Sequence, residues 1–520
     1  MSSSSLNKKV GVAALIMMAS VLLSRVIGLL REIVIARYGG AAAEVDAYSI
    51  AFVIPEILNH VVASGFLSVT FIPIFSKYLT EEREAEGWKV FSTILSVFGI
   101  FLFVLITIAW LLAPWLVPLF APGIENAGIL RSAIRMTRII LPAQLFFFAG
   151  GLLMAVQFAK EQFKLPALAP LIYNVGIILG GIALYRWVRM EGFAWGALAG
   201  AFIGNFLMQY FGAKRAGMNL FFDFNLHHPD LKKYILLTLP LMVGLTMTFS
   251  TEFFARFFGS YLPEGGVAAI NYALRVMFIL VGFFGQAAGV ASFPYLARLA
   301  AENKIAEMNQ LLNDTLRRYI ALVIPFSALL IVLRHEIIFI LFQRGRFDAL
   351  ATARTAEALA FLSIGAFAFA AQTVVVRGYY AAQNTLFPTI IGTLAVAASL
   401  PLYWLGVHEF GEKGLALAIA VSAILQVTFL FALWNCRSQN SGGKKVFAFF
   451  AKIISLSAMI GALLYWAKAY FFPALSQNTF AGNLLVCAII SAMFFAVFAG
   501  MGYWFRIPEI VNVIRRVLRR

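Results

Sequence analysis

Three arginines lie within stretches that are apolar enough to cross a membrane. Arg25 and Arg31 fall inside VGVAALIMMASVLLSRVIGLLREIVIARYGG, and Arg275 falls inside VAAINYALRVMFILVGFFGQAAGV. A cation at the centre of a membrane helix costs about 2.5–3.5 kcal/mol on insertion scales, so these side chains must face protein or water. Because guanidinium groups bind phosphate in a bidentate manner, the three arginines predict a polar cavity for an anionic substrate.

Other polar residues accompany the arginines in each half of the chain. In the second apolar segment, Asp46, His60 and Ser64 share one helix face, although Pro55 is expected to kink the helix. In the second half, five residues fall within about 40° of one line at 100° per residue. They are Asn271, Arg275, Gly282, Gln286 and Gly289. Both segments therefore predict a polar stripe that faces a cavity or a closely packed helix.

The alternative interpretation is that these polar groups pair with each other and only hold the helices together. That interpretation stays open for Asp46, whereas the arginines outnumber the nearby acids. Glu252 and Arg256 are four residues apart on one predicted helix, a spacing that favours an internal ion pair. We interpret this last pair as structural.

The composition defines the class of protein. Hydrophobic residues make up 62% of the 520 residues, charged residues only 12%, and the mean hydropathy is +0.87. Such values are typical of an all-α polytopic membrane protein and exclude a soluble domain. Both cysteines, Cys436 and Cys487, lie in or beside apolar segments, which argues against a disulfide framework or a zinc site.

Hydropathy predicts about fourteen transmembrane helices, each long enough for about 30 Å of hydrocarbon. The predicted spans are 10–37, 46–75, 90–118, 132–158, 167–186, 193–212, 234–258, 267–297, 318–342, 356–382, 388–405, 414–434, 447–467 and 482–505. An even number places both termini on one side of the membrane. The loops on that side hold the larger share of the 41 lysines and arginines, so both termini are expected in the cytoplasm. The net charge of +17 then reflects topology and attraction to the leaflet rather than nucleic-acid binding.

An internal repeat divides the chain. A shift of about 222 residues places Phe120–Gly123 on Phe342–Gly345 and Pro166 on Pro388, and a shift shorter by one residue places Pro73 on Pro294. Two six-helix lobes of equal orientation would form a parallel pseudo-two-fold repeat around a central cavity. The predicted organisation is an N-lobe (1–215), a cytoplasmic linker (216–233), a C-lobe (234–437) and two further helices with an amphipathic tail (438–520).

Several motifs resemble those of one known family. SRVIGLLREIVIAR, VDAYSIAFVIPEIL and SGFLSVTFIPIFSKY near the start, NYALRVM in the middle and LFQRGRFD and YYAAQNTLFP later are similar to the MurJ/MviN lipid II flippases of the MOP exporter superfamily. The resemblance covers essentially the whole chain, including the two additional C-terminal helices.

The resemblance implies a transporter rather than an enzyme. It implies a flippase that moves lipid II, the undecaprenyl-pyrophosphate-linked peptidoglycan precursor, from the cytoplasmic to the periplasmic leaflet of the bacterial inner membrane by alternating access. It also implies that Arg25, Arg31, Asp46 and Arg275 match essential cavity charges. The full predicted substrate-binding set adds His60, Ser64, Asn271 and Gln286, and the predicted gating or structural positions are Gly28, Pro55, Gly65, Pro73, Gly282 and Gly289.

The expected partners are lipid II and membrane lipids, with cell-wall synthesis or division proteins as further candidates, and we expect a monomer. No cofactor is predicted, and the resemblance implies coupling to the membrane potential or a monovalent cation. The chain departs from the family where many members carry an Asn, a pair of arginines and Ala-Glu-Gly. Here Asn59, His60 and Ala63-Ser64-Gly65 stand instead, so the arginines elsewhere must bind the anion alone or with a protonated His60.

Three other functions compete. A cation-coupled multidrug exporter would share the two lobes but would favour acidic cavity residues. A flippase for another polyprenyl-linked oligosaccharide would share the chemistry. A polytopic glycosyltransferase would need carboxylates on a large extramembrane loop, and the outer loops here are short. A phosphate-binding GxxxxGK[ST] loop is absent from the sequence, which excludes ATP hydrolysis by this chain.

Overall fold

The computed structural model describes residues 3–60, 66–244, 246–472, 479–505, 507–509 and 511, which form helices and turns without any β-strand. Side-chain surroundings are not described for residues 3–11, 13, 14, 66–69, 239–249 and 285–291. Contacts divide the chain into two compact units, residues 1–249 and 250–520. Of the amphipathic tail predicted from Ile507 onward, residues 510 and 512–520 lie outside the described residues.

The first unit holds eleven helices within its described part. They are α1 (Ser3–Gly39), α2 (Ala43–Ala51), α3 (Val53–Leu58), α4 (Phe66–Thr80), α5 (Glu84–Phe120), α6 (Ala127–Ile140), α7 (Ala143–Ala159), α8 (Lys164–Val188), α9 (Glu191–Gly200), α10 (Met208–Arg215) and α11 (Pro229–Gly244). A π-helix, Ala201–Leu207, joins α9 to α10. The wider turns of this π-helix interrupt the sixth predicted span.

The second unit is built from the remaining helices, and the first of them begins four residues before residue 250. They are α12 (Thr246–Gly259), α13 (Gly266–Val281), α14 (Ala287–Ala301), α15 (Ile305–Val332), α16 (Arg334–Phe342), α17 (Ala349–Ile364), α18 (Ala366–Ala381), α19 (Leu386–Arg437), α20 (Gly443–Phe471) and α21 (Phe480–Trp504). A second π-helix, Gly282–Gln286, lies between α13 and α14. Helix α19 is broken at Gly411, where φ is 57°.

Eight helices among the described residues are long and apolar enough to cross a membrane, or nine if α17 and α18, bent by 41°, form one span. The class of all-helical membrane protein is therefore confirmed. These nine segments overlap ten of the predicted spans, because α19 holds two, although predicted spans 267–297 and 318–342 extend well beyond their segments. Of the other four predicted spans, 46–75, 193–212 and 234–258 include π-turns, breaks or residues outside the described ranges. Span 10–37 lies within the continuous helix α1, which is not among the eight, so the total of fourteen stays a prediction.

Glycines bring α8 and α9 into backbone contact. A Cβ atom at Gly180 would lie 2.4 Å from the Cα of Gly196, and one at Gly176 would lie 2.5 Å from the Cα of Gly200. The two glycines of each helix, Gly176 and Gly180 on α8 and Gly196 and Gly200 on α9, are four residues apart and so lie on one face. Because lipid offers no hydrophobic driving force between helices, such close van der Waals packing is what holds them together.

Some turns recur at the shift predicted from the sequence. Arg189 has φ 52° and ψ −132°, and Gly411, onto which the longer shift moves Arg189, has φ 57° and ψ −132°. The same shift moves Glu161, with φ 58°, onto Gln383, with φ 57°. A positive φ is uncommon for residues other than glycine. Two such turns therefore recur at the same shift that the internal repeat was predicted from.

The C-terminal helices α20 and α21 pack on α15 and α16 of the same unit. Lys468 on α20 donates from Nζ to Oε2 of Glu336, 2.7 Å away, and to the carbonyl oxygen of Val332 at 2.9 Å. Glu336 is only 1% exposed. A second ion pair joins Arg317 Nη2 to Glu509 Oε1 at 2.9 Å. Charged contacts therefore attach the C-terminal part at two places along α15 and α16.

Candidate functional site

Arg31 is held between α1 and α8 of the first unit. Its Nη1 donates to Oδ1 of Asn174 at 2.9 Å, and its Nη2 donates to Oε1 of Glu32 at 2.5 Å. The third nitrogen, Nε, is buried and has no hydrogen-bond partner among the described residues. The guanidinium thus keeps one N–H group from which an anionic ligand could accept a hydrogen bond.

The surroundings of Arg31 are partly aromatic. Tyr48 on α2 and Tyr173 on α8 are both close enough to interact electrostatically with the guanidinium. Gly28, one turn before Arg31, faces the same asparagine: a Cβ atom there would lie 4.0 Å from Oδ1 of Asn174. That distance is ordinary van der Waals contact, so a Cβ atom would fit at position 28 and the packing does not require glycine there.

Arg25 does not share the position of Arg31. Six residues of α-helix separate the two arginines by roughly 9 Å along the axis and place them about 120° apart around it. Arg25 is exposed on α1, whereas Arg31 is half-buried. The two side chains therefore point to different faces of α1.

The predicted polar face of the second span is broken by the backbone. Asp46 is 7% exposed and lies in the first turn of α2, where the helix dipole favours a carboxylate. The helix is interrupted at Phe52, three residues before the buried Pro55 of α3. His60 is half-buried in a π-helical turn. Ser64 and Gly65 lie outside the described residues, and Pro73 is exposed inside α4.

In the second unit, one carboxylate lies between two arginines. Oε2 of Glu252 lies 3.5 Å from Nη2 of Arg256 and 3.6 Å from Nη2 of Arg275. The predicted pair of Glu252 and Arg256 on α12 is therefore present. The same carboxylate of Glu252 also contacts Arg275 on the neighbouring helix α13. The Arg275 side chain is 38% exposed, whereas that of Arg256 is 5% exposed.

The polar stripe predicted on α13 ends at a change of helix type. Asn271 and Arg275 are both half-buried and lie one turn apart on α13. At Gly282 the π-helix begins, so a count of 100° per residue no longer applies beyond it. Gln286 and Gly289 follow this change, and their surroundings are not described. Their place on the stripe stays a prediction.

No group of three or more His, Cys, Asp or Glu side chains that could hold a metal ion is found in the described ranges. Of the two adjacent histidines of the linker, His227 and His228, the second accepts a hydrogen bond at Nδ1 from the backbone N–H of Asp230, 3.2 Å away. Cys436 is exposed and Cys487 is half-buried, and each is a free thiol.

Each unit therefore presents a partly exposed arginine beside a carboxylate of the same unit: Arg31 with Glu32, and Arg275 with Glu252. Sequence reasoning missed both Glu32 and Asn174 as partners of Arg31. A paired arginine of this kind can exchange its carboxylate for a phosphate, because both anions accept hydrogen bonds from the same guanidinium edge.

Comparison of the sequence with known proteins finds relatives that match nearly the whole chain. The family model described as "Lipid II flippase MurJ" matches residues 35–499. A lipid II flippase MurJ of Burkholderia cenocepacia is 28% identical over 487 residues, covering 92% of this chain and 94% of that protein. A probable lipid II flippase MurJ of Rhizobium tropici is 27% identical over 514 residues and covers 96% and 94% of the two chains.

Solved structures show the same fold. The structure of a lipid II flippase MurJ in an inward closed conformation has a TM-score of 0.76 and 22% identity, and covers 93% of this chain and 98% of its own. An inward-facing multidrug resistance MATE transporter of the MOP superfamily has a TM-score of 0.67 and 13% identity over 83% of this chain and 99% of its own. These are transporters rather than enzymes. Because the family model covers most of its length, the chain belongs to the MurJ family of lipid II flippases.

Proposed function

We propose that this protein moves lipid II from the cytoplasmic to the periplasmic leaflet by alternating access, for cell-wall synthesis. The family match over residues 35–499 carries the proposal. The local chemistry agrees with it, since each unit offers an arginine within an apolar helix bundle, and a pyrophosphate suits bidentate guanidinium donors.

The architecture that goes with this function is fourteen spans, arranged as two six-helix lobes in a parallel repeat with two additional helices. Matching helix bounds support the repeat. Helix α4 and helix α14 both contain 15 residues, and the shorter of the two shifts moves the start of α4, Phe66, onto the start of α14, Ala287. The longer shift moves the start of α8, Lys164, onto the start of α19, Leu386.

The proposed head-group site centres on Arg31 and Arg275, with Arg25 as a third cation. The other members are the polar residues predicted from the sequence, Asp46, His60, Ser64, Asn271 and Gln286. The unused Nε of Arg31 supports this assignment, since a buried donor without an acceptor is costly until a ligand supplies one.

Glu32 and Glu252 would act as resident counter-ions. An arginine in a membrane protein is stabilised by a carboxylate when substrate is absent, and the substrate phosphate then replaces that carboxylate. Arg275 is suited to the exchange because it is partly exposed and shares Glu252 with the more deeply buried Arg256. Return of the carboxylate would release the head group on the other side.

The energy source follows from charge movement and requires no cofactor. Moving one elementary charge across a potential of 100 mV involves about 2.3 kcal/mol, so a cavity rich in arginines would respond to the membrane potential. Coupling to a monovalent cation is the other option. We place the protein in the bacterial inner membrane as a monomer, with both termini in the cytoplasm and with cell-wall synthesis or division proteins as partners.

A flippase for another polyprenyl-linked oligosaccharide is the second candidate. It is favoured by the departure at Asn59 and His60, where the basic pair of many family members is missing. The pyrophosphate chemistry would be unchanged, and only the recognised sugar would differ.

Complementation tests the proposal. Cells depleted of their own lipid II flippase receive the wild-type chain or the variants Arg25→Ala, Arg31→Ala or Arg275→Ala, with membrane levels compared by blot. Arg298→Ala is the matched control, because Arg298 is exposed and pairs with Glu302 at a helix end. We expect rescue by the wild type and the control, and loss of rescue in each of the three arginine variants. A well-expressed wild type that fails to rescue contradicts lipid II as the substrate, and rescue by all three variants contradicts the arginine site.

A further inference from the structure

The segment that connects α10 to α11 is unusually apolar for a loop. Residues 218–228, here called the aromatic loop, have no helix or strand structure. Five large apolar side chains of this loop are exposed: Leu220, Phe221, Phe222, Phe224 and Leu226. Phe222 is 75% exposed. A contiguous apolar surface of this kind marks a contact with another phase or molecule.

The aromatic loop is attached to α5 at three adjacent points. The backbone N–H of Phe221 donates to Oγ of Ser92 at 3.5 Å, and that of Asp223 donates to Oγ of Ser96 at 3.4 Å. The hydroxyl of Thr93 donates to Oδ2 of Asp223 at 2.5 Å. The position of the loop along α5 is therefore fixed by hydrogen bonds.

This position lies at the edge of the surface of α5 that faces lipid. Ser96 is four residues, or about 6 Å of helix, before Ile100. From Ile100 onward α5 exposes a row of apolar side chains that includes Phe101, Phe103 and Leu119. The reach of a phenylalanine side chain is similar to that separation. If that apolar surface is in lipid, the exposed rings of the aromatic loop would lie close to the level where head groups meet acyl chains.

The charges around the aromatic loop are arranged by sign. Both carboxylates face the protein, since Asp223 accepts from Thr93 and Asp230 accepts from the hydroxyl of Tyr78 at 2.5 Å. Four cations at the flanking helix ends are exposed: Lys214, Arg215, Lys232 and Lys233. The outward charge is therefore positive, which suits anionic phospholipid.

We propose that the aromatic loop is an interfacial anchor that inserts Phe222, Phe224 and Leu226 among the head groups of anionic phospholipids. Apolar side chains flanked by lysine and arginine bind membranes through buried area and electrostatic attraction together. Because the aromatic loop is hydrogen-bonded to α5 and leads directly into α11, the anchor would hold the start of α11 at the membrane surface. It is independent of the transported substrate, so the failure of one proposal leaves the other standing.

Spin-label accessibility tests the anchor in the full-length protein. A nitroxide is attached at Phe222→Cys in a Cys436→Ser, Cys487→Ala background, and the protein is reconstituted in vesicles containing phosphatidylglycerol. Glu307→Cys is the matched aqueous control, because Glu307 is exposed in the first turn of α15. Collision with oxygen, which concentrates in lipid, is compared with collision with a water-soluble nickel chelate.

We expect oxygen to dominate at position 222 and the nickel chelate to dominate at position 307. Lys232→Gln with Lys233→Gln, or vesicles of phosphatidylcholine alone, should reduce the immersion of the label at 222. A label at 222 that meets the nickel chelate as readily as the label at 307 would overturn the anchor. Immersion that is equal in neutral and anionic vesicles would overturn its preference for anionic lipid.

Discussion

Oε2 of Glu252 lies 3.6 Å from Nη2 of Arg275 and 3.5 Å from Nη2 of Arg256, so one carboxylate oxygen serves two guanidinium groups. Arg256 is on the same helix as Glu252 and is nearly buried, whereas Arg275 projects from α13 and is partly exposed. Of the two contacts, the one to Arg275 is thus easier to exchange for a contact with a ligand.

Glu252→Gln should strengthen the binding of inorganic pyrophosphate to the purified protein. The variant keeps the shape of the side chain but removes the charge that competes for Arg275. We expect a twofold to fivefold lower Kd, about 0.5–1 kcal/mol for a partly exposed ion pair, by isothermal titration calorimetry. Glu357→Gln is the control, because Glu357 pairs with the exposed Lys413. Equal or weaker binding, with an unchanged melting temperature, would contradict the role of Glu252 as a counter-ion.

Lys468→Met should destabilise the second unit strongly. It leaves the carboxylate of Glu336 buried without its cation, a change that typically costs about 3–5 kcal/mol. The melting temperature in detergent should fall well below that of Lys445→Met, an exposed substitution on the same helix. The double variant Glu336→Leu, Lys468→Met should recover most of the loss. No recovery would mean that packing of the lysine stem, rather than the charge pair, is what matters.

Gly180→Ala should separate α8 from α9. The added Cβ would lie 2.4 Å from the Cα of Gly196, so the backbones must move apart, at a cost of about 1–3 kcal/mol. Gly151→Ala on α7 is the control, since a Cβ there meets nothing within 4 Å and alanine favours the helix. Thermal unfolding followed by tryptophan fluorescence compares the two. Equal melting temperatures would disprove the tight contact.

The turn after α14 should loosen at acidic pH. The hydrogen bond from Arg298, assisted by Lys304, lowers the pKa of Glu302 from 4.5 to about 2. Because the folded pKa is the lower one, the stabilisation is fully present above about pH 4.5 and is lost as the pH falls toward 2. Hydrogen exchange of residues 299–305, corrected for the intrinsic rate, should rise over that interval. Glu302→Gln should abolish this dependence, and a dependence that persists in the variant would exclude Glu302 as its source.

The sequence predicted the helical class well because apolar runs of about 20 residues depend only on local composition. It also anticipated the break near Pro55, since proline removes a helical hydrogen bond and the helix is interrupted three residues earlier, at Phe52. It missed the π-helix from Gly282, which a uniform count of 100° per residue cannot include. The stripe drawn through Gln286 and Gly289 used that uniform count.

At the candidate site, the sequence identified the arginines but not all of their partners. The pair of Glu252 and Arg256 was readable from its spacing, and Glu32 stands next to Arg31 in the chain. Asn174 is 143 residues from Arg31, and only the fold brings it near. The linker was predicted as a simple cytoplasmic connection, because hydropathy windows suited to spans overlook the exposed rings of a short loop such as Phe222.

The contact of Glu336 with Lys468 also has a consequence for biosynthesis, since the two residues are 132 positions apart. At about 5–20 residues per second, a ribosome needs roughly 7–26 s to add that length of chain. During this interval the helix that carries Glu336 enters the bilayer without its cation. The carboxylate therefore has to stay beside water or the insertion machinery until α20 arrives and completes the assembly of the newly made protein.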